Sequence, residues 1–261
     1  MNHLYLSPHL DDAVMSCGGI IHHQATGEDL VQVFTVFAGE YEGGDLSPFA
    51  LVQHGYWGDP PHPMPLRRAE DAAALALLGA DARHLDYLDA VYRTAPGGKW
   101  LYDDEEALWS RVSDADPLAG DGTGALADRL ESLLPSQGQT LIYAPLGVGH
   151  HVDHQIVHAA ARTLMERGYW LAFYEDYPYA QTPGATEQAV TVAGAQEWQT
   201  DILTLSPGDL AAKVSALSYY RSQMYVLFGG IEKMPNRVWA FAASRSPGIA
   251  LAERLWRPPL A

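Results

Sequence analysis

Three ionisable side chains crowd into four positions of SPHLDDAVMSCGG (7–19): His9, Asp11 and Asp12. A second cluster, in GHHVDH (149–154), offers His150, His151, Asp153 and His154, with His158 one helical turn further on. These are the side chains of a catalytic zinc site, which commonly takes three protein ligands and keeps a fourth position for water. His9 and Asp12 are three residues apart on a loop-to-helix turn that could aim both inward, and His154 could complete a His₂Asp set. Asp11 would then stand beside the metal without binding it, placed to deprotonate the metal's water. His151 lies one turn before His154 and shares its face. It could stabilise an oxyanion or protonate a leaving amine.

The two clusters must be brought together by the elements around them. HLYLS (3–7) reads as a short buried strand and residues 12–27 as a helix stopped by glycine. LVQVFTVFA (30–38) reads as the next strand. Helices follow at 67–80, 124–134 and 151–168, with strands at 83–90 (passing into a loop), 139–146 and 169–176. The last clear helix spans 207–223. Alternating strands and helices predict an α/β fold, a mainly parallel sheet with helices on both faces. No repeat or linker divides the chain, so one domain over 1–261 is expected. In open parallel sheets ligands bind beyond the carboxyl ends of the strands. SPHLDD follows the first strand and PLGVGHHVDH (145–154) follows the strand at 139–144, so both clusters fall on one edge.

Each signal alone has an ordinary explanation. An HxxH pair is often surface polarity, an Asp-Asp pair often a helix cap. The acidic run DDEE (103–106) reads as a solvated helix start, and His3, His22, His23, His62 and His84 as structural histidines. Cys17, the only cysteine, reads as a small buried hydrophobe, and it excludes an intramolecular disulfide framework or a multi-cysteine zinc site. GVG (147–149) is too short for a nucleotide loop. The chain has 32 acidic against 16 basic residues, a formal charge of −16. That balance argues against nucleic-acid and anionic membrane partners. At 48% hydrophobic and 18% charged the composition is that of a globular protein. No signal segment and no run of about 18 apolar residues stands out, which makes the cytoplasm the expected location.

With the motifs in place, the chain resembles the LmbE-like, or N-acetylglucosaminyl-phosphatidylinositol de-N-acetylase (PIG-L), family of zinc-dependent deacetylases. SPHLDDAVMSCGG is similar to its (A/S)HPDD-x₅-GG signature, and HVDH (151–154) to its HPDH motif. Leu10 and Val152 stand where proline is usual, which bears on loop stiffness more than on ligation. Arg67 and Glu70 match an R-x-x-E helix that ends in Leu-Gly. LDYLDAVYR (85–93) is similar to the segment supplying a substrate-contacting aspartate, here Asp89. FYEDYPYA (173–180) and KVSALSYYRSQ (213–223) are similar to later segments, so the likeness runs along nearly the whole chain.

The resemblance implies a Rossmann-like sheet holding one zinc on His9, Asp12 and His154, although Fe²⁺ could occupy the same set. It implies Asp11 as general base and His151 as the group serving the oxyanion or the amine, with Asp153 orienting His151. The implied reaction is hydrolysis of an N-acetyl group from an N-acetylglucosamine-type amino sugar or glycoside, releasing acetate and an amine. An amide is a poor electrophile with a bad leaving group, and these groups meet its needs without a covalent nucleophile. Arg67 and Asp89 would bind sugar hydroxyls. Tyr177 and Tyr179 are expected at the pocket mouth. The segment 39–65 reads as a lid or binding loop in which Tyr41, Phe49, Tyr56 and Trp57 either stack on sugar or form a satellite core. The partner is a small amino-sugar substrate, and homo-oligomerisation is left open. Two other readings are a hydrolase of the same metal type acting on another amide or ester, and a non-catalytic sugar- or metal-binding protein. The presence of Asp11 speaks against the second.

Overall fold

Strand β1 (Asn2–Ser7) is buried from His3 onward on both faces, as a strand enclosed within a parallel sheet must be. In the computed structural model it lies between β2 (Leu30–Thr35) and β4 (Thr140–Pro145), parallel to both. The structure describes residues 1–58, 62–134, 138–195, 197–246, 248 and 250–259. β3 (Asp81–His84) adds to β2, and β5 (Trp170–Tyr174) to β4, again in parallel. The full sheet has seven strands in the order β3-β2-β1-β4-β5-β7-β6. β7 (Leu251–Arg257) runs antiparallel to β5 and to β6 (Gln199–Leu205). The expected mainly parallel α/β architecture is therefore present, with an antiparallel strand set into one side.

Ten α-helices accompany the sheet among the described residues. They are α1 (Asp12–Thr26), α2 (Pro48–Tyr56), α3 (Pro63–Leu78), α4 (Glu105–Leu108), α5 (Asp121–Glu131), α6 (Val152–Glu166), α7 (Ala185–Val192), α8 (Pro207–Leu217), α9 (Arg221–Phe228) and α10 (Met234–Arg245). α1, α3 and α8 pack on one another, and α5 packs on α6. The strand order reverses at β1, between β2 and β4, which creates a crevice at the carboxyl ends of β1 and β4.

The paired glycines of α1 have a packing reason. A Cβ on Gly18 would stand 2.9 Å from Lys213 Cγ, and one on Gly19 2.5 Å from Leu205 Cδ1. Lys213 is buried and bonds Glu253 Oε1 at 2.6 Å. Glu253 in turn accepts from the Gly19 and Ile20 N–H groups, tying β7 and α8 to α1.

Two expectations are corrected. The segment 39–65, read from the sequence as a loop, has regular structure: it contains α2, begun by the Ser47 cap and a proline, and the first residues of α3. Asp59, Pro60 and Pro61, within that segment, lie outside the described residues. The single helix expected over 207–223 is two, α8 and α9, because Tyr220 takes a non-helical backbone and turns its hydroxyl inward to donate to Asp71 Oδ1 at 2.7 Å.

Candidate active site

β1 ends at Ser7, and α1 begins at Asp12, so the HLDD turn sits at the crevice. Asp11 occupies φ 151°, ψ −30°, a backbone region that strains any side chain carrying a Cβ and that persists where surrounding contacts impose it. Ser7 helps impose it, its hydroxyl donating to His9 O and accepting from Ala13 N–H. β4 delivers the second loop to the same place, and α6 starts at Val152 with His151 as its cap.

The two loops meet around Asp12. Its Oδ2 lies 3.2 Å from His9 Nδ1 and 3.2 Å from His154 Nε2. His9 Nε2 bonds Asp153 Oδ2 at 2.8 Å, and His154 Nδ1 bonds Asp176 Oδ1 at 2.7 Å. A carboxylate accepts, so each imidazole carries a hydrogen on its outer nitrogen, and the nitrogen facing Asp12 becomes a metal donor when a cation displaces its proton. His154 Nε2 is buried and makes no hydrogen bond among the described residues. Both spacings to Asp12 fit a zinc: tetrahedral bonds of about 2.05 Å place neighbouring ligand atoms roughly 3.3 Å apart. The His9, His151 and His154 nitrogens also lie within 4.8 Å of one another, as do ligand atoms of His9, Asp89 and Asp153.

The charges agree with a cation-seeking centre. Burial opposes ionisation of His9 and of His154, yet the carboxylates around them prevail. Hydrogen bonds to Asp12 and Asp153 hold His9 well above its ordinary value, and Asp12 with Asp176 lifts His154 to about 9. Asp12 is also penalised by burial but is held well below the carboxylate range by His154 and His9. Asp11 shows the reverse. Burial and then the neighbouring Asp12 charge push it up to about 8, with Arg67 and His9 offsetting only part. His151 is kept well below its ordinary value, first by burial and then by the charge on His9.

A cleft of about 370 Å³ opens above this centre. Arg67 and Asp89 both line it, as do Phe49, Tyr56 and Trp57 of the 39–65 segment. Arg67 is buried, its guanidinium 4.7 Å above the Trp57 ring, and its Nε has no hydrogen-bond partner among the described residues. Tyr41 stacks on Tyr92 instead, in a satellite core that includes Trp57 and Tyr102.

Tyr177 is not at the cleft mouth. It is 1% exposed, its ring 4.5 Å from Phe241, while Pro178 and Tyr179 line the cleft in its place. The expected role of Asp153 also changes. Its backbone N–H donates to His151 Nδ1 at 3.2 Å, but its carboxylate serves His9, accepts from Ala90 N–H and pairs with Arg93 Nη1 at 2.6 Å. His158 points away, bonding Pro145 O and packing on Phe173.

A family model described as GlcNAc-PI de-N-acetylase, PIG-L, matches residues 4–165. The chain belongs to the PIG-L family. Over 224 residues it is 32% identical to 2'-N-acetylparomamine deacetylase of Streptomyces fradiae, covering 84% of this chain and 72% of that protein. Over 175 residues it is 31% identical to the 1D-myo-inositol 2-acetamido-2-deoxy-alpha-D-glucopyranoside deacetylase of Mycobacterium sp. strain KMS, covering 64% and 51%. The crystal structure of the zinc-inhibited form of teicoplanin deacetylase Orf2 superposes with a TM-score of 0.84 at 31% identity, covering 100% of both chains. As a PIG-L protein, this chain is an N-deacetylase.

Several groups of this PIG-L site escape a motif reading. Asp176 fixes His154 and also accepts from Gly147 and Val148 N–H. Its position just past β5, on the edge that bears both clusters, is the signal that finds it. Arg93 bridges Asp153 and Asp116. Trp109 stands edge-on to His151 at 5.1 Å and walls the cleft with Leu108. Among the described residues no helix is long and apolar enough to cross a membrane.

Proposed function

We propose that the chain, as one domain over 1–261, is a zinc-dependent enzyme that removes the N-acetyl group from an N-acetylglucosamine-type amino sugar or glycoside. The observation that carries this reading is the approach of one Asp12 oxygen, Oδ2, to 3.2 Å from both His9 Nδ1 and His154 Nε2, with the carboxyl of Asp11 at the next position. Deacetylases of N-acetylated amino sugars among the relatives support it.

His9, Asp12 and His154 would hold the metal. Zinc bound there supplies a Lewis acid for the amide carbonyl and lowers the pKa of its water towards about 7. Asp11, buried beside the ligands, takes the proton of the attacking water. His151 receives the Asp153 N–H at Nδ1, which puts its own hydrogen on Nε2. Burial and the neighbouring imidazoles keep it neutral, so it donates a hydrogen bond from Nε2 to the oxygen that gains charge. The proton that Asp11 has taken then passes to the departing nitrogen, and acetate and amine are released. Asp89 and Arg67 orient the sugar from the cleft wall. A neutral, hydroxyl-rich substrate suits an acidic chain better than a nucleic acid or an anionic lipid surface.

Acetate release measured over a panel of soluble N-acetylglucosaminides, with zinc-loaded and chelator-stripped protein side by side, tests the assignment. Release from the loaded protein alone is expected. Silence across the panel from protein that holds its metal would contradict it.

A further inference from the structure

To serve an oxyanion, His151 must hold Nε2 at a fixed point, yet the last torsion of a histidine is soft. Its Nδ1 accepts from Asp153 N–H at 3.2 Å, which pins one atom of the ring. Aromatic neighbours set the rest. His9 and Trp109 stand almost perpendicular to the imidazole, at 87° and 83°, with centroids 4.9 and 5.1 Å away. His9 is itself held by Asp12 and Asp153. Trp109 has no such anchor of its own: it follows α4, a helix of only four residues. Beyond it lies a second cavity of about 220 Å³, lined also by Gly147, His150 and Val192, so close packing does not hold the indole from behind.

Two other contacts hold it. Tyr179 meets the indole at 5.0 Å and 68°. Gly149 admits that ring, since a Cβ there would stand 2.8 Å from Tyr179 Cγ. Gln155 Nε2 donates to Ser110 O at 2.7 Å and to His150 O at 2.6 Å. One amide on α6 thus clips the residue after Trp109 to the residue before His151. Gln155 does not line the cleft.

We infer that Gln155 and Trp109 are positioning residues for His151: the amide holds the segment after α4 against the His150–His151 backbone, and the indole then fixes the imidazole. This rests on the deacetylase reading. Neither residue takes or gives a proton in the reaction. A donor already aimed at the developing charge needs no reorganisation when the charge appears, and a misplacement of about 1 Å can cost 100-fold.

The test measures kcat and KM on a soluble N-acetylglucosaminide that the zinc-loaded wild type hydrolyses. Gln155→Met keeps the helix propensity and removes both hydrogen bonds. Its kcat should fall roughly 2–10-fold, the worth of one hydrogen bond, with KM and zinc content at wild-type values. Trp109→Leu should lose about 10–100-fold in kcat, and Trp109→Phe, which restores a ring, should recover most of it. In a His151→Ala background, Gln155→Met and Trp109→Leu should lower kcat no further, because the group they position is gone. Equal losses with and without His151 would overturn the positioning role and leave the deacetylase intact. So would a Gln155→Met loss carried by KM, or equal kcat for Leu and Phe at position 109. Hydrolysis of no N-acetylglucosaminide by metal-loaded wild type would remove the deacetylase reading, and the positioning role with it.

Discussion

Asp153 Oδ2 accepts from His9 Nε2 at 2.8 Å while Arg93 grips the other carboxylate oxygen at 2.6 Å. The imidazole thus faces Asp12 with its Nδ1, and its orientation is set by a carboxylate that is itself held by a buried cation. Asp176 does the same for His154 from the other side. Such outer contacts fix the tautomer and the basicity of a metal-binding histidine.

Asp176→Asn should therefore lower zinc affinity by roughly 10–100-fold while leaving the ligands in place. Competition with a chromophoric chelator reads this directly. Unchanged affinity would mean that the His154 ring is held by packing alone.

Arg93 lies between Asp153 and Asp116, with all three buried. Arg93→Met leaves two carboxylates without their cation and should cost about 3 kcal/mol or more of stability, read as a fall in thermal midpoint. Zinc affinity should drop in the same variant, since Asp153 loses its anchor.

Two glycine substitutions should act in opposite directions. Gly19→Ala drives a methyl into Leu205 and should destabilise by about 1–3 kcal/mol. Gly124 sits within α5 with nothing within 4 Å of a built Cβ, so Gly124→Ala should stabilise by about 0.5–1 kcal/mol. Thermal melts of the two variants check both signs.

His158 supplies a pH signature away from the candidate metal ligands. Burial lowers its pKa below 6.5, more than its hydrogen bond to Pro145 O raises it. The unfolded chain then binds a proton that the folded chain refuses, so this residue costs stability as pH falls below 6.5. His158→Phe should be less stable than wild type at neutral pH, through the lost hydrogen bond. Its deficit should shrink in acid. A deficit that is constant with pH would show that His158 titrates normally.

How far the sequence can be read depends on whether a signal is local. β1, β2, β4 and β5 are mainly apolar, and the two histidine–aspartate clusters follow strands that the topology brings together. β6 and β7 carry no such signal. QTDILTL is half polar, and LAERLWR places Glu253 and Arg254 mid-strand, the first of them buried where Lys213 from α8 and two N–H groups of α1 meet it. α2 is hidden by a proline start, an internal glycine and an apolar face that serves the cleft rather than the core. Asp153 is misread because adjacency in sequence favours His151, whereas its carboxylate crosses to a histidine 144 residues away. Tyr177 and Tyr179 are told apart only by the chain's course past β5, which puts one in the core and the other on the cleft.

The separation of metal binding from proton transfer is the centre of the account, and Asp11→Asn measures it most directly. Zinc content and acetate release should be determined on the same preparation of variant and wild type. The variant should retain its zinc and lose about 10²–10⁴ in kcat, the span of a general base. Near-normal turnover by zinc-loaded Asp11→Asn would contradict the assignment of Asp11, and loss of the metal would place Asp11 among the ligands instead.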